Sequence, residues 1–126
     1  MLNSFDEYSV AGHLDIVRRY DIYRAPLKYK EYRDSVEVLL KNLIGKGKGI
    51  EVNTSGIRYG KGANHPNDEI LQTYYELGGE IITIGSDAHN GRDIGYDVSN
   101  VIKSLKRIGF KTINTFEQMR PIYHKI

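Results

Sequence analysis

The chain has 126 residues, 40% of them hydrophobic and 27% charged, which fits one globular domain with a sizeable core. A formal net charge of +2 favours neither nucleic acid nor an anionic membrane as a partner, and the absence of cysteine excludes disulfides and thiolate chemistry. No apolar run is long enough to cross a bilayer and the first ten residues do not resemble a secretory signal, so we expect a cytoplasmic protein.

The first half of the sequence predicts a strand, an irregular connection, a helix and a second strand. The first strand covers residues 8–12, and the connection covers residues 20–32 with a break at Pro26. The helix that follows places five apolar side chains on one face: Val36, Leu39, Leu40, Leu43 and Ile44. Glycines end this helix, and residues 49–53 form the second predicted strand.

The second half continues the alternation of helices and strands. After a glycine-rich loop, Pro66 is predicted in the first turn of a helix whose apolar stripe is Ile70, Leu71, Tyr74 and Leu77. A third strand is predicted over residues 81–85, and a third helix is capped by Asp97 or Ser99. Residues 111–116 could form a fourth strand.

The order of these elements predicts an α/β fold with parallel strands. Strands separated by helices of this length imply right-handed crossovers into one parallel sheet. Because the first strand begins at residue 8 and few strands follow it, we expect the chain to form part of a larger sheet or barrel.

Polar side chains suited to metal chemistry follow the predicted strands: His13, Glu51, Asn53, Asp87 and His89. Side chains at the carboxyl ends of parallel strands meet at one edge of the sheet. If the backbone stays extended past Ser86, Asp87 and His89 point the same way, since a strand repeats every two residues. A carboxylate beside an imidazole suits Zn, Mn or Fe, so the sequence predicts a metal site.

Arginines near the same strand ends are candidates for binding an anion. Arg18 and Arg19 follow His13, and Arg58 lies in the glycine-rich loop, where a guanidinium could bind phosphate through two hydrogen bonds. The alternative is that some of these arginines are solvated surface residues. His65, beside a predicted helix start, is a weaker candidate for a substrate contact.

Three segments resemble later motifs of the polymerase-and-histidinol-phosphatase (PHP) superfamily, and most closely its histidinol-phosphatase branch. They are Gly-His-Leu-Asp at 12–15 with Arg-Arg-Tyr at 18–20, Glu-Val-Asn-Thr-Ser-Gly-Ile-Arg at 51–58, and Ser-Asp-Ala-His at 86–89. The resemblance runs through nearly the whole chain and keeps the order of the motifs. The segment at 51–58 is the one that points to the branch.

The resemblance implies a distorted seven-stranded (βα) barrel, similar to a TIM barrel, with several metal ions at the carboxyl ends of its strands. It implies hydrolysis of L-histidinol phosphate, a small phosphoester of histidine biosynthesis, to L-histidinol and phosphate. By motif, the metal ligands would be His13, Asp87 and His89. Asp87 would also be catalytic, orienting water or protonating the leaving group. Phosphate would be bound by Arg19 and Arg58, while Glu51 and Asn53 would contact substrate or support other residues.

The chain lacks the His-x-His motif that the resemblance places in the first half of such a barrel. A complete barrel needs about 250 residues, so we expect residues 1–126 to be the C-terminal half. We then expect weak metal binding and little activity from the chain alone, and association with an N-terminal half or with itself through exposed strand edges. The alternatives are a PHP-type phosphoesterase of another substrate, or a non-catalytic fragment.

Overall fold

A computed structural model describes residues 5–19 and 28–126 of the chain. Much of the predicted connection over 20–32, with the break at Pro26, lies outside the described residues. The strands and α-helices of the described part are β1 (Val10–Ala11), α1 (Arg33–Gly45), β2 (Gly49–Asn53), α2 (Ser55–Arg58), α3 (Asp68–Glu76), β3 (Ile82–Gly85), α4 (Val98–Ile108), β4 (Thr112–Glu117) and β5 (Arg120–Lys125). Short 3-10 turns cover Ile16–Arg19, Tyr29–Glu31 and Gly91–Asp93.

The first three strands form the predicted parallel sheet, in the order β1-β2-β3. β2 is the central strand: Ile50 pairs with Ala11 on one side and with Ile82 on the other. The two residues at each end of β2 are buried, as is typical of a strand covered on both faces, and only the middle residue, Glu51, is partly exposed. β2 has the predicted bounds, whereas β1 is only two residues long instead of the five predicted.

The last two strands depart from the predicted alternation of parallel strands and helices. β4 begins near the predicted residue 111 but pairs antiparallel with β5, which the sequence did not predict. The turn between them uses Gln118 and Met119 with φ of +48° and +63°, the left-handed conformations of a tight hairpin turn. The hairpin contacts the parallel sheet through Asn114, whose Oδ1 accepts a hydrogen bond from the Ile82 amide at 2.9 Å.

The apolar stripes predicted for the helices pack into one core with the sheet. Its fully buried members include Leu40, Leu43, Ile50, Val52, Ile70, Leu71, Tyr74, Ile82, Val101 and Leu105. Pro66 precedes helix α3 rather than opening it, because Asn67 is the capping residue and its side chain accepts a hydrogen bond from the Ile70 amide at 3.0 Å. Across the described ranges, no helix has both the length and the apolar character that crossing a membrane requires.

Candidate active site

Three polar side chains converge where the parallel strands end. His13 lies two residues after β1, Glu51 is in β2, and Asp87 lies two residues after β3. His13 Nδ1 is 3.7 Å from Glu51 Oε2, and His13 Nε2 is 3.8 Å from Asp87 Oδ2. The His13 side chain is 43% exposed and the two carboxylates are about half as exposed, so the cluster is open to solvent. We call His13, Glu51 and Asp87 the strand-end cluster.

Glycines at the ends of both neighbouring strands, Gly12 directly after β1 and Gly85 in β3, make room for the Glu51 carboxylate. Alternation along β2 places Glu51 on the face opposite Ile50 and Val52, which are buried in the core. A Cβ at Gly12 would lie 3.0 Å from Glu51 Oε2, and a Cβ at Gly85 would overlap Glu51 Oε1. Glycine at both positions therefore allows the carboxylate to lie across the sheet toward His13.

Asn53 supports Glu51 and the loop after β2. Its side chain is buried, its Nδ2 donates to Glu51 Oε2 at 3.3 Å, and its Oδ1 accepts from the Ser55 amide at 3.0 Å. Of the two roles predicted for Asn53, this geometry favours support of another residue over contact with substrate.

The backbone after β3 does not stay extended, so the expectation that Asp87 and His89 point the same way is wrong. Asp87 has a φ of +50°, which turns the chain at this residue. His89 is exposed, and its Nδ1 lies 2.9 Å from the carbonyl oxygen of Asp87. The structure thus brings Asp87 to His13, while a role for His89 as a metal ligand stays a prediction.

Arg58, predicted to bind phosphate, is engaged with the turn that carries Asp87. Its Nη2 donates to the carbonyl oxygens of Ser86 at 3.0 Å and Asp87 at 2.8 Å. Its Nη1 donates to Asp93 Oδ2 at 2.9 Å, in a pair that is mostly buried. Asp93 was missed in the sequence because nothing in its local pattern links it to an arginine 35 residues earlier.

Arg19, the other predicted phosphate contact, is the last residue of the 3-10 turn Ile16–Arg19. Its side chain lies outside the described part of the structure, so its role stays a prediction.

A second histidine–carboxylate pair lies buried beside the strand-end cluster. His65 Nδ1 is 2.7 Å from Asp15 Oδ1, and the two side chains are 1% and 4% exposed. His65 is thus enclosed within the described residues, and its weaker candidacy as a substrate contact stays a prediction. No local sequence pattern indicates this pair, since its members are 50 residues apart and Asp15 has a left-handed backbone, with φ of +58°.

Residues 54–65, which comprise helix α2 and the loop after it, hold most of the buried polar side-chain atoms that lack a hydrogen-bond partner. Within the described residues there are six such atoms, and five belong to this segment: Thr54 Oγ1, Ser55 Oγ, Arg58 Nε, Asn64 Oδ1 and His65 Nε2. Unsatisfied buried polar groups are uncommon in proteins and are frequent where strain or function retains them. The segment that directly follows the Glu51 strand is therefore rich in buried polar atoms without partners.

The donor types of the strand-end cluster fit a divalent metal, but their placement is incomplete. One imidazole with two carboxylates suits Zn, Mn or Fe. However, Glu51 and Asp87 face opposite nitrogens of the His13 ring, and a single ion cannot bind both nitrogens of one imidazole. Accordingly, no three metal-binding side chains of residues 5–19 and 28–126 are grouped to hold an ion.

Comparison with curated proteins finds relatives of one kind. A probable histidinol-phosphatase of Thermotoga maritima is 36% identical over 105 residues, covering 83% of this chain and 43% of the relative. The histidinol-phosphatase of Lactococcus lactis is 31% identical over 121 residues, covering 95% of this chain and 45% of the relative. No family model matches the chain. The predicted resemblance is confirmed: this chain is similar to histidinol-phosphatases.

A solved structure matches the fold as well. It is a histidinol phosphate phosphatase from Lactococcus lactis complexed with zinc, L-histidinol and phosphate, with a TM-score of 0.78 and 28% identity. The match covers 96% of this chain and 46% of that one. The chain thus spans less than half the length of the relatives it matches, in their C-terminal part.

Proposed function

We propose that this chain is the C-terminal part of a metal-dependent phosphomonoester hydrolase that converts L-histidinol phosphate and water to L-histidinol and phosphate. One observation carries the proposal: His13, Glu51 and Asp87 meet at the carboxyl ends of parallel strands in a chain similar to histidinol-phosphatases. A role in histidine biosynthesis and a cytoplasmic location remain part of the proposal.

The proposed metal would be held by His13 and Asp87, with Glu51 beside them and further ligands from residues other than these. A divalent metal would polarise the phosphoryl group and make hydroxide available near neutral pH. The zinc of the Lactococcus structure favours zinc, and the imidazole and carboxylate donors accept Mn or Fe equally well. His89 is proposed as an additional ligand on the strength of its motif alone.

The chain's own residues would then do three things in the reaction. Asp87 would orient the attacking water or protonate the leaving alkoxide, since its carboxylate is partly exposed and lies 3.8 Å from His13 Nε2. Arg58 would hold the Asp87 turn in place through its two carbonyl contacts. Arg19 is proposed to bind phosphate and offset negative charge on its oxygens, as Arg58 would if substrate displaced one of its protein partners.

The fold would be completed by an N-terminal half, giving a distorted (βα)7 barrel of which residues 1–126 form the C-terminal half. The length of the relatives supports this, as does the sheet: in the described part, no strand pairs with the outer edge of β1. Exposed edges favour pairing with further strands. Self-association through the same edge is the alternative way to cover it.

Phosphate release by the protein in its full encoded length tests the proposal. We expect turnover of L-histidinol phosphate that requires added Zn²⁺ or Mn²⁺, is lost with a chelator, and exceeds turnover of generic phosphomonoesters. Equal turnover of all phosphoesters would contradict L-histidinol phosphate as the substrate but would still support phosphoesterase activity. Absence of metal-dependent phosphate release would overturn the function and favour a non-catalytic fragment.

A further inference from the structure

We propose that Asp15 and His65 are positioning residues that hold His13 at the strand-end cluster. The proposal rests on the proposed function only for the role of His13 as a ligand. Contacts within the chain connect the central strand β2 to the His13 backbone through His65 and Asp15.

Two backbone hydrogen bonds hold His65 at the end of β2. The Asn53 amide donates to the His65 carbonyl oxygen at 2.7 Å, and the His65 amide donates to the Asn53 carbonyl oxygen at 3.0 Å. This reciprocal pair extends the sheet by one residue beyond the loop. Since Asn53 also pairs with Gly85 of β3, His65 is tied to the parallel sheet.

Two donors hold the Asp15 side chain, one at each carboxylate oxygen. Asp15 Oδ1 accepts from His65 Nδ1 at 2.7 Å, and Asp15 Oδ2 accepts from the Asn67 amide at 3.3 Å. Both donors come from the segment that leads into helix α3. The two side chains are nearly inaccessible to solvent, where a hydrogen bond to a carboxylate is strong and its loss is costly.

The turn between His13 and Asp15 has an unfavourable backbone conformation that other contacts must stabilise. Both residues have left-handed backbones, with φ of +55° at His13 and +58° at Asp15. Such conformations are disfavoured for residues other than glycine, so a surrounding contact must retain them. β1 holds the chain on one side of His13, and the Asp15–His65 contact holds it on the other.

A purely structural role explains the pair less well. Replacing a buried ionic pair by apolar side chains is often neutral or stabilising, so such a pair is weak evidence of a contribution to stability. Here the pair lies outside the apolar core and two residues from a half-exposed histidine. What it does supply is a fixed direction for the His13 turn.

Nuclear magnetic resonance of the histidine rings tests this directly, without metal or substrate. An asparagine side chain can place a donor where His65 Nδ1 lies, whereas a glutamine side chain can place one only near Nε2. We therefore expect His65→Gln to shift the His13 ring resonances away from their positions in the native chain. His65→Asn should leave them closer to those positions. Asp15→Asn, which replaces one of two acceptors by a donor, should shift them as His65→Gln does. His124→Gln, at an exposed histidine of the hairpin, is the matched control.

The amide resonances of core residues separate positioning from unfolding. Movement of the His13 ring in His65→Gln and Asp15→Asn, with Val52 and Leu71 amides unchanged, would support the proposal. Unchanged His13 resonances in both variants would overturn it, and so would equal shifts throughout the core or failure of both variants to fold. Each of these three adverse results would leave the proposed function standing, since phosphate release is measured separately.

Discussion

The two histidine–carboxylate arrangements of this chain have the same chemistry and opposite surroundings. His65 and Asp15 are buried and 2.7 Å apart, whereas His13 is 43% exposed and lies 3.7 and 3.8 Å from its two carboxylates. The first distance is that of a strong hydrogen bond, and the other two lie beyond hydrogen-bonding range. This difference in burial and distance is the basis for proposing that the buried pair supports the chain and that the open cluster receives a ligand.

The largest effect is expected from Asp87→Asn or His13→Gln in the open cluster. Each should lower metal-dependent phosphate release by the full-length protein more than about 100-fold, the upper range for residues that merely support a metal ligand. The free energy of unfolding should change by less than about 0.5 kcal/mol, because both side chains are partly exposed. Assays of phosphate release beside urea unfolding measure the two effects. Unchanged phosphate release in both variants would show that the strand-end cluster is not part of the active site.

The opposite pattern is expected for the buried pair. His65→Leu should lower the free energy of unfolding by about 3 kcal/mol, because the Asp15 carboxylate is left buried without this partner. His13→Leu, the same change at the open histidine, should cost less than about 0.5 kcal/mol. Urea unfolding of the two variants measures both free energies. Equal destabilisation would contradict the prediction that the buried pair contributes more to stability than the open cluster.

Arg58→Lys distinguishes support from substrate binding at the Asp87 turn. Lysine cannot contact Asp93 and two carbonyl oxygens with the planar geometry of arginine, so we expect a loss of about 1–2 kcal/mol in the free energy of unfolding. Lys61→Arg, at a nearby cation, is the control. A raised KM for histidinol phosphate with unchanged stability would instead indicate that Arg58 binds phosphate.

The smallest effect concerns the start of helix α3, where the backbone supports Asp15. Asn67→Ala removes the cap that bonds the Ile70 amide and should cost about 1 kcal/mol in the free energy of unfolding. Gln72→Ala, on the exposed face of the same helix, should cost less than about 0.5 kcal/mol. If the first change also shifts the His13 ring resonances, the support of Asp15 extends to this helix start. Similar costs for both changes would argue against the cap.

The sequence predicted the local elements of this fold and the position of the open cluster. Apolar periodicity identifies α1, α3 and α4, and the short apolar run at residues 49–53 identifies β2, because these patterns follow from burial of one helix face or a whole strand. Parallel order then brings residues that follow different strands to one edge, which is why His13 and Asp87 could be paired in advance.

The remainder depends on contacts between distant residues and on left-handed backbones. The Asp15–His65 and Arg58–Asp93 pairs join residues 50 and 35 positions apart, and no local pattern specifies them. The left-handed conformation of Asp87 is unusual for a residue other than glycine, so an extended chain was the natural expectation. The hairpin turn at Gln118 and Met119 likewise lacks the asparagine and glycine that usually announce it.

Titration of the isotopically labelled chain with Mn²⁺ tests whether the strand-end cluster belongs to a metal site, because paramagnetic broadening reports even weak binding at a defined place. We expect amides near His13, Glu51 and Asp87 to broaden first and those of β4 and β5 to be spared. A combined His13→Gln and Asp87→Asn variant should lose the effect. Broadening centred elsewhere, or no selective broadening at millimolar Mn²⁺, would contradict the assignment of the strand-end cluster as part of a metal site.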